Sequence, residues 1–206
     1  VEVLLNRNKK TVIDYLNNLK GRNKVQYVAM DMWKPYKDAV QLVLPDAKIV
    51  IDKFHVVRMA NDALETIRKQ HRSELTARER KTLLHDRYVL RKRRNNLSDK
   101  EYLNLSGWTA NYPLLGAAYD TKEAFYDMWD HTDRTDAENA FQRWKNNIPD
   151  EVRPAYLDLI RAVDNWHEHI FTYFDHPITN AYTESLNSLI RVINRLGRGV
   201  PFRSIL

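Results

Sequence analysis

The sequence predicts an α/β protein whose parallel strands are interrupted by a large all-helical insertion. Three observations carry this reading: strand-like and helix-like stretches alternate over 1–56, an almost wholly helical stretch fills 57–175, and a last amphipathic helix lies within 176–206. Strands that alternate with helices indicate parallel pairing, because parallel neighbours need a long crossover that a helix usually provides. The three segments are read as one interrupted domain.

Each element follows from its residues. Val12, Ile13, Leu16 and Leu19 recur at helical spacing and open the chain with a helix. VQYVAM at 25–30 reads as a strand, and a helix follows around 36–44. Pro45 and Asp46 then punctuate the passage into a second strand, AKIVI at 47–51. From Phe54 to about Phe174 the pattern is helical, with interruptions expected at 95–98, at Gly107, at 111–113, at 146–149 and at 176–177. Thr179 or Asn180 suits the N-cap of the last helix. Leu186, Leu189, Ile190, Ile193 and Leu196 form its apolar stripe. Glu184, Asn187, Ser188, Arg191 and Arg195 fall largely on the other side, and Gly197 ends the helix.

With 206 residues, 43% of them hydrophobic and 29% charged, the chain can bury a sizeable core. The absence of cysteine excludes disulfides, zinc knuckles and thiol nucleophiles, and fits a reducing cytoplasm. No stretch approaches the roughly 20 apolar residues of a membrane span. VEVLLNRNKK at the N-terminus lacks a signal-peptide plan, so neither secretion nor a membrane partner is expected. A net charge of +6 favours a polyanionic partner, since cationic surface gains by releasing counterions from a phosphate backbone.

Two acids stand at matching positions, Asp31 directly after the first strand and Asp52 directly after the second. The carboxyl ends of parallel strands are where sites assemble in open α/β sheets, although an Asp there also suits helix capping. Glu184 shares a polar helix face with Arg191, which reads either as a site or as solvated surface. Hard divalent cations take oxygen ligands, and two-metal phosphoryl transfer needs carboxylates that converge from separate elements. Asp31 and Glu184 meet that need. His55, in DKFHV, reads as a base, a ligand or a hydrogen-bond partner of Asp52.

His167 with His169 and His85 with Asp86 complete no metal pattern, and no H-E-x-x-H, P-loop or G-x-G-x-x-G is present. Zinc hydrolysis and nucleotide binding are therefore unsupported. In the basic run from His71 to Asn96, Arg87, Arg91, Lys92, Arg93 and Arg94 are dense enough for a phosphate-contacting strip, while other stems cover apolar surface. Trp108, Trp129, Trp144 and Trp166 lie far apart and read as packing anchors.

Taken together, YVAMDMWKPYKDAV, LPDAKIVIDKFHVVR and ITNAYTESLNSLIRVINR resemble the insertion-sequence transposases of the ISL-three type, a DDE group with an RNase H-like core. The resemblance covers most of the chain, with the helical block between the second and third segments. It implies that Asp31 matches the second acid of the triad and Glu184 the third. It places Asp52 and His55 in a supporting D-x-F-H element. It further implies Mg2+ or Mn2+ as cofactor, cleavage of element ends, and joining of 3′-hydroxyls to target DNA in a bacterial cytoplasm. Arg191, Arg195, Lys34 and Lys53 are the expected phosphate contacts. The family's first acid lies on a core strand that precedes the visible sequence, so the chain is expected to be N-terminally truncated and inactive alone. Missing core strands would leave an open sheet edge, hence an expected homo-oligomer. A nuclease without strand transfer and a non-catalytic DNA-binding or assembly module are the alternatives.

Overall fold

The computed structural model describes Leu4, residues 6–71, residues 75–179, Ser185 and Val192. The chain divides into two compact units, residues 1–52 with 177–206, and residues 53–176.

In the first unit, α1 (Lys9–Asn18) buries Leu16 and packs on α2 (Lys34–Val43), which buries Ala39 and Val40. Gly21, at φ 75°, turns the chain through the left-handed region that favours glycine. It leads into a 3-10 turn at Arg22–Lys24. That turn takes the Val25 N–H for the Arg22 carbonyl, so strand β1 spans Tyr27–Met30 and starts two residues later than the sequence pattern suggests. The helix α2 starts two residues earlier, with Pro35 in its first turn, where a missing N–H costs nothing. Strand β2 (Lys48–Ile51) pairs with β1 in parallel, from Tyr27 opposite Lys48 to Met30 opposite Ile51. Ile49, Val50 and Ile51 are all buried, as expected of a parallel strand covered on both faces.

The second unit is entirely helical among the described residues. It holds α3 (Lys53–Gln70), α4 (Ala77–His85), α5 (Arg87–Arg91), α6 (Asp99–Asn111), α7 (Pro113–Asp127), α8 (Arg134–Asn147), α9 (Arg153–Asn165) and α10 (His167–Asp175). Buried Val56, Ala60, Ala63, Leu64 and Ile67 form one stripe of α3, which packs against α7 and α9. An aromatic core joins α7, α8 and α9: the Phe125 and Trp144 rings lie 4.9 Å apart, and Trp144 also meets Phe141 and Tyr156. The polar ends of this core are satisfied. Trp144 Nε1 donates to the Thr121 carbonyl at 2.8 Å, and the Tyr156 hydroxyl donates to Ala118 at 2.6 Å.

The expected interruptions at 95–98, 111–113, 146–149 and 176–177 coincide with helix ends. Gly107 does not interrupt anything. It lies inside α6 with open space where a Cβ would stand, because a single exposed glycine costs a helix only about 1 kcal/mol and does not stop it. Further breaks fall before Thr76, at Asp86, at 128–133 and at Trp166. Of the last helix read from sequence, Ser185 and Val192 are helical and exposed. Glu184, Arg191 and Arg195 lie outside the described residues.

Candidate acidic site at the strand ends

The parallel register fixes the geometry of the two described acids. Met30 and Ile51 are the last paired residues, so Asp31 and Asp52 leave the sheet side by side at its carboxyl edge. The Asp52 N–H donates to the Met30 carbonyl at 3.1 Å, which extends the ladder one step and anchors that backbone. Their exposures differ: Asp52 is 2% exposed, whereas Asp31 faces solvent. The Asp31 carbonyl accepts from the Trp33 N–H at 2.7 Å, tightening the turn into α2. Asp31 is an exposed carboxylate at a strand end, the ligand type that a hard divalent cation takes. Among the described residues no three His, Asp or Glu side chains converge on a metal position.

Lys34 is exposed at the first position of α2, whose first turn contains no acid. A cation opposes the positive end of a helix dipole, so this placement is electrostatically unfavourable unless an anion approaches. Trp33, 42% exposed beside Asp31, lies under the Arg7 guanidinium at 5.1 Å. The signal in the sequence for Trp33 is its position two residues after the strand-end acid.

Beyond β2, His55 occupies the first turn of α3 and meets the Phe54 ring edge-on at 5.7 Å. Lys53 is held within the helical unit, its ammonium 5.2 Å from the Trp129 ring centroid and 6.0 Å from that of Tyr173. Burial lowers its pKa and Arg93 adds to this, while Asp130 opposes it. Trp129 and Trp144 are buried anchors, and Trp108 donates to Asp86 at 3.0 Å.

The basic strip divides. Lys92 pairs with Glu101 at 2.6 Å, Arg93 with Asp127 at 2.8 Å and Asp130 at 2.7 Å, and Arg94 with Asp120. Arg87 and Arg91 remain exposed. Beneath them Lys122 is fully buried. It donates to the Leu90 and Lys92 carbonyls at 2.9 and 2.7 Å, and forms an ion pair with Glu123 at 2.9 Å.

A family of transposases, the ISL3-type DDE group, matches residues 1–205. The chain is 24% identical over 199 residues to the transposase for insertion sequence element IS1001 of Bordetella parapertussis, covering 94% of this chain and 49% of that protein. It is 25% identical over 204 residues to the transposase for insertion sequence element IS1557 of Mycobacterium tuberculosis, covering 88% of this chain and 45% of that protein. The chain thus spans about half the length of the curated relatives it matches. No solved structure matches it. With the match running through both strands, the helical unit and the segment that carries Glu184, the chain belongs to the ISL3-type DDE transposase family.

Proposed function

We propose that this chain serves DNA transposition by metal-dependent phosphoryl transfer, in which element ends are cleaved and the released 3′-hydroxyls attack target DNA. The observation that carries the reading is the register of β1 and β2, which leaves Asp31 exposed at the carboxyl edge of a parallel pair in a chain of a DDE transposase family. In this reading the strands belong to an RNase H-like core, 57–175 is its helical insertion, and 176–206 returns the third acid to it.

Asp31 and Glu184 would hold Mg2+ or Mn2+, which when bound supply charge stabilisation at the attacking and leaving oxygens. Without a bound cation the two carboxylates would repel a phosphate. Asp52, buried beside Asp31, fixes the strand end, and His55 would be a supporting residue of the site. Lys34, Arg191 and Arg195 hold the phosphate backbone by charge. Lys53 belongs to the same set, although its ammonium rests on Trp129. A further carboxylate from elsewhere in the whole transposase would complete the triad, so this chain alone would not turn over. The complete assembly would be a homo-oligomer on DNA in the bacterial cytoplasm.

The test uses the whole transposase on DNA bearing the element ends, with Mg2+ or with EDTA, comparing wild type with Asp31→Asn and Glu184→Gln. Loss of cleavage and joining with DNA binding retained supports both assignments. Undiminished activity in either variant removes that acid from the chemistry, and cleavage without any joining favours a nuclease.

A further inference from the structure

We propose that the outward face of α4 and α5, built on Arg78, Lys81, Arg87 and Arg91, is a DNA-backbone contact surface carried by the helical unit. It rests on the reading of the protein as a DNA-processing enzyme and adds a surface to it.

Ion pairing within the helical unit is selective. Arg68, Arg93, Arg94, Arg134 and Lys145 each meet a carboxylate within hydrogen-bond distance. By contrast, among the described residues Arg78, Lys81, Arg87 and Arg91 have no carboxylate within salt-bridge distance, and all four are exposed. Glu79, the acid of α4, and Asp86, which joins α4 to α5, are spent elsewhere. Glu79 closes the capping box with Thr76, accepting its N–H at 2.8 Å, and Asp86 accepts from Trp108. The positive charge of this segment therefore faces outward without a direct ion pair, Glu65 acting on Arg87 only at longer range.

Periodicity places the cations of each helix on its outward side. Leu83 is the buried residue of α4, and at 3.6 residues per turn Arg78, Lys81 and His85 fall on the opposite side. Val89 and Leu90 anchor α5, which leaves Arg87, Tyr88 and Arg91 outward. Leu84 and Tyr88 are 53% and 46% exposed within the same surface. Cations interleaved with an accessible aromatic match the backbone of a nucleic acid, where each cation gains by counterion release and the ring lies against sugar. The segment is held firmly, because Lys122 binds the Leu90 carbonyl near the end of α5.

The experiment is binding of the protein to a random-sequence 30-base-pair duplex in EDTA, followed by fluorescence anisotropy across a salt series. The four-fold variant Arg78→Gln, Lys81→Gln, Arg87→Gln, Arg91→Gln is compared with Arg153→Gln, Arg161→Gln on α9. A phosphate contact removes about 0.9 from the slope of log K against log salt, so the four-fold variant should lose about 3.6 and bind at least tenfold more weakly, with an unchanged circular dichroism spectrum. The α9 variant should keep slope and affinity within about twofold. Each single substitution, which leaves the fold intact at an exposed site, should remove roughly one quarter of the effect. An unchanged slope in the four-fold variant, an equal loss in the α9 variant, or no duplex binding by wild type overturns the proposal. Because EDTA silences metal chemistry, these outcomes are independent of cleavage by Asp31 and Glu184. A poly-glutamate competitor that displaces DNA at equal charge concentration would assign the surface to an acidic protein and overturn it too.

Discussion

Asp31 and Asp52 leave the two parallel strands at the same step, one residue beyond the Met30 and Ile51 pair, yet Asp52 is 2% exposed and Asp31 faces solvent. Equal register with unequal burial separates their roles. Removing the charge of a buried carboxylate leaves its surroundings short of an acceptor, at about 1–3 kcal/mol, whereas an exposed substitution stays within about 0.5 kcal/mol. Asp52→Asn should therefore lower Tm by roughly 2–8 °C, and Asp31→Asn by no more than about 2 °C while abolishing cleavage by the whole transposase. Thermal scans run beside the cleavage assay check both. A large Tm loss for Asp31→Asn would make it structural.

Trp33 stands two residues after Asp31 with its ring 42% exposed and the Arg7 guanidinium 5.1 Å from its centroid, and under the proposed function a base would stack on it. Stacking of a base on an aromatic ring is worth about 1–3 kcal/mol. Trp33→Ala should weaken binding of a single-stranded or frayed element end by roughly tenfold or more, and Trp33→Phe should recover most of it. Competition between frayed and fully paired ends reads the effect directly. Equal loss on both substrates would count against stacking.

The strands, their parallel pairing and the helical stretch were legible because each rests on local periodicity and on two punctuating residues, Pro45 and Asp46. The starts of β1 and α2 were less so. The turn at Gly21 to Lys24 takes the Val25 N–H, and Pro35 begins a helix earlier than its apolar residues do. Pairing was not legible at all, because the acids that bind Arg93 and Arg94 lie 26 to 37 residues away along the chain. The basic run reads as uniform in sequence, and tertiary contacts split it into structural cations and outward ones.

Gly107 isolates the weakness of composition as a guide to helix ends. Its φ lies outside the left-handed region, and open space surrounds the position a Cβ would take. Gly107→Ala should stabilise the protein by about 0.5–1 kcal/mol by removing unfolded-state freedom. A urea titration with unchanged m-value checks this, and a destabilised variant would show that a contact with the glycine backbone matters.

Thr76 and Ser98 each close a capping box, with Glu79 and Glu101 reaching back to the cap N–H at 2.8 and 3.0 Å. Thr76→Ala and Ser98→Ala should each cost about 1 kcal/mol. The two caps begin different helices and share no partner, so the double variant should lose the sum within about 0.5 kcal/mol. Denaturant midpoints of the three variants test this, and a markedly smaller sum would mean that α4 and α6 unfold together before the rest.

Lys122 makes stability depend on pH in a definite direction. Burial pushes its ammonium down from the ordinary 10.5 to about 8, with Arg93 and Arg94 acting the same way and Glu123 opposing. Between about pH 8 and 10 the unfolded chain holds a proton that the folded chain has released, so this group adds stability as pH rises through that window and withdraws it as pH falls. Above about pH 10 the neighbouring Tyr126, raised to about 12, and Tyr119, also raised by burial, act oppositely, because the unfolded chain then loses protons first. Lys122→Met removes the titration, takes the ammonium from the Leu90 carbonyl and leaves Glu123 and the Lys92 carbonyl with only the Arg94 N–H and the Tyr119 hydroxyl, at about 3 kcal/mol near neutral pH. Urea titrations of wild type and Lys122→Met at pH 7.5 and 9.5 should therefore show the gap between them widening by about 2 kcal/mol at the higher pH. A gap that stays constant would mean that the ammonium is as stable in its cradle of carbonyls as in water, and that burial does not govern it.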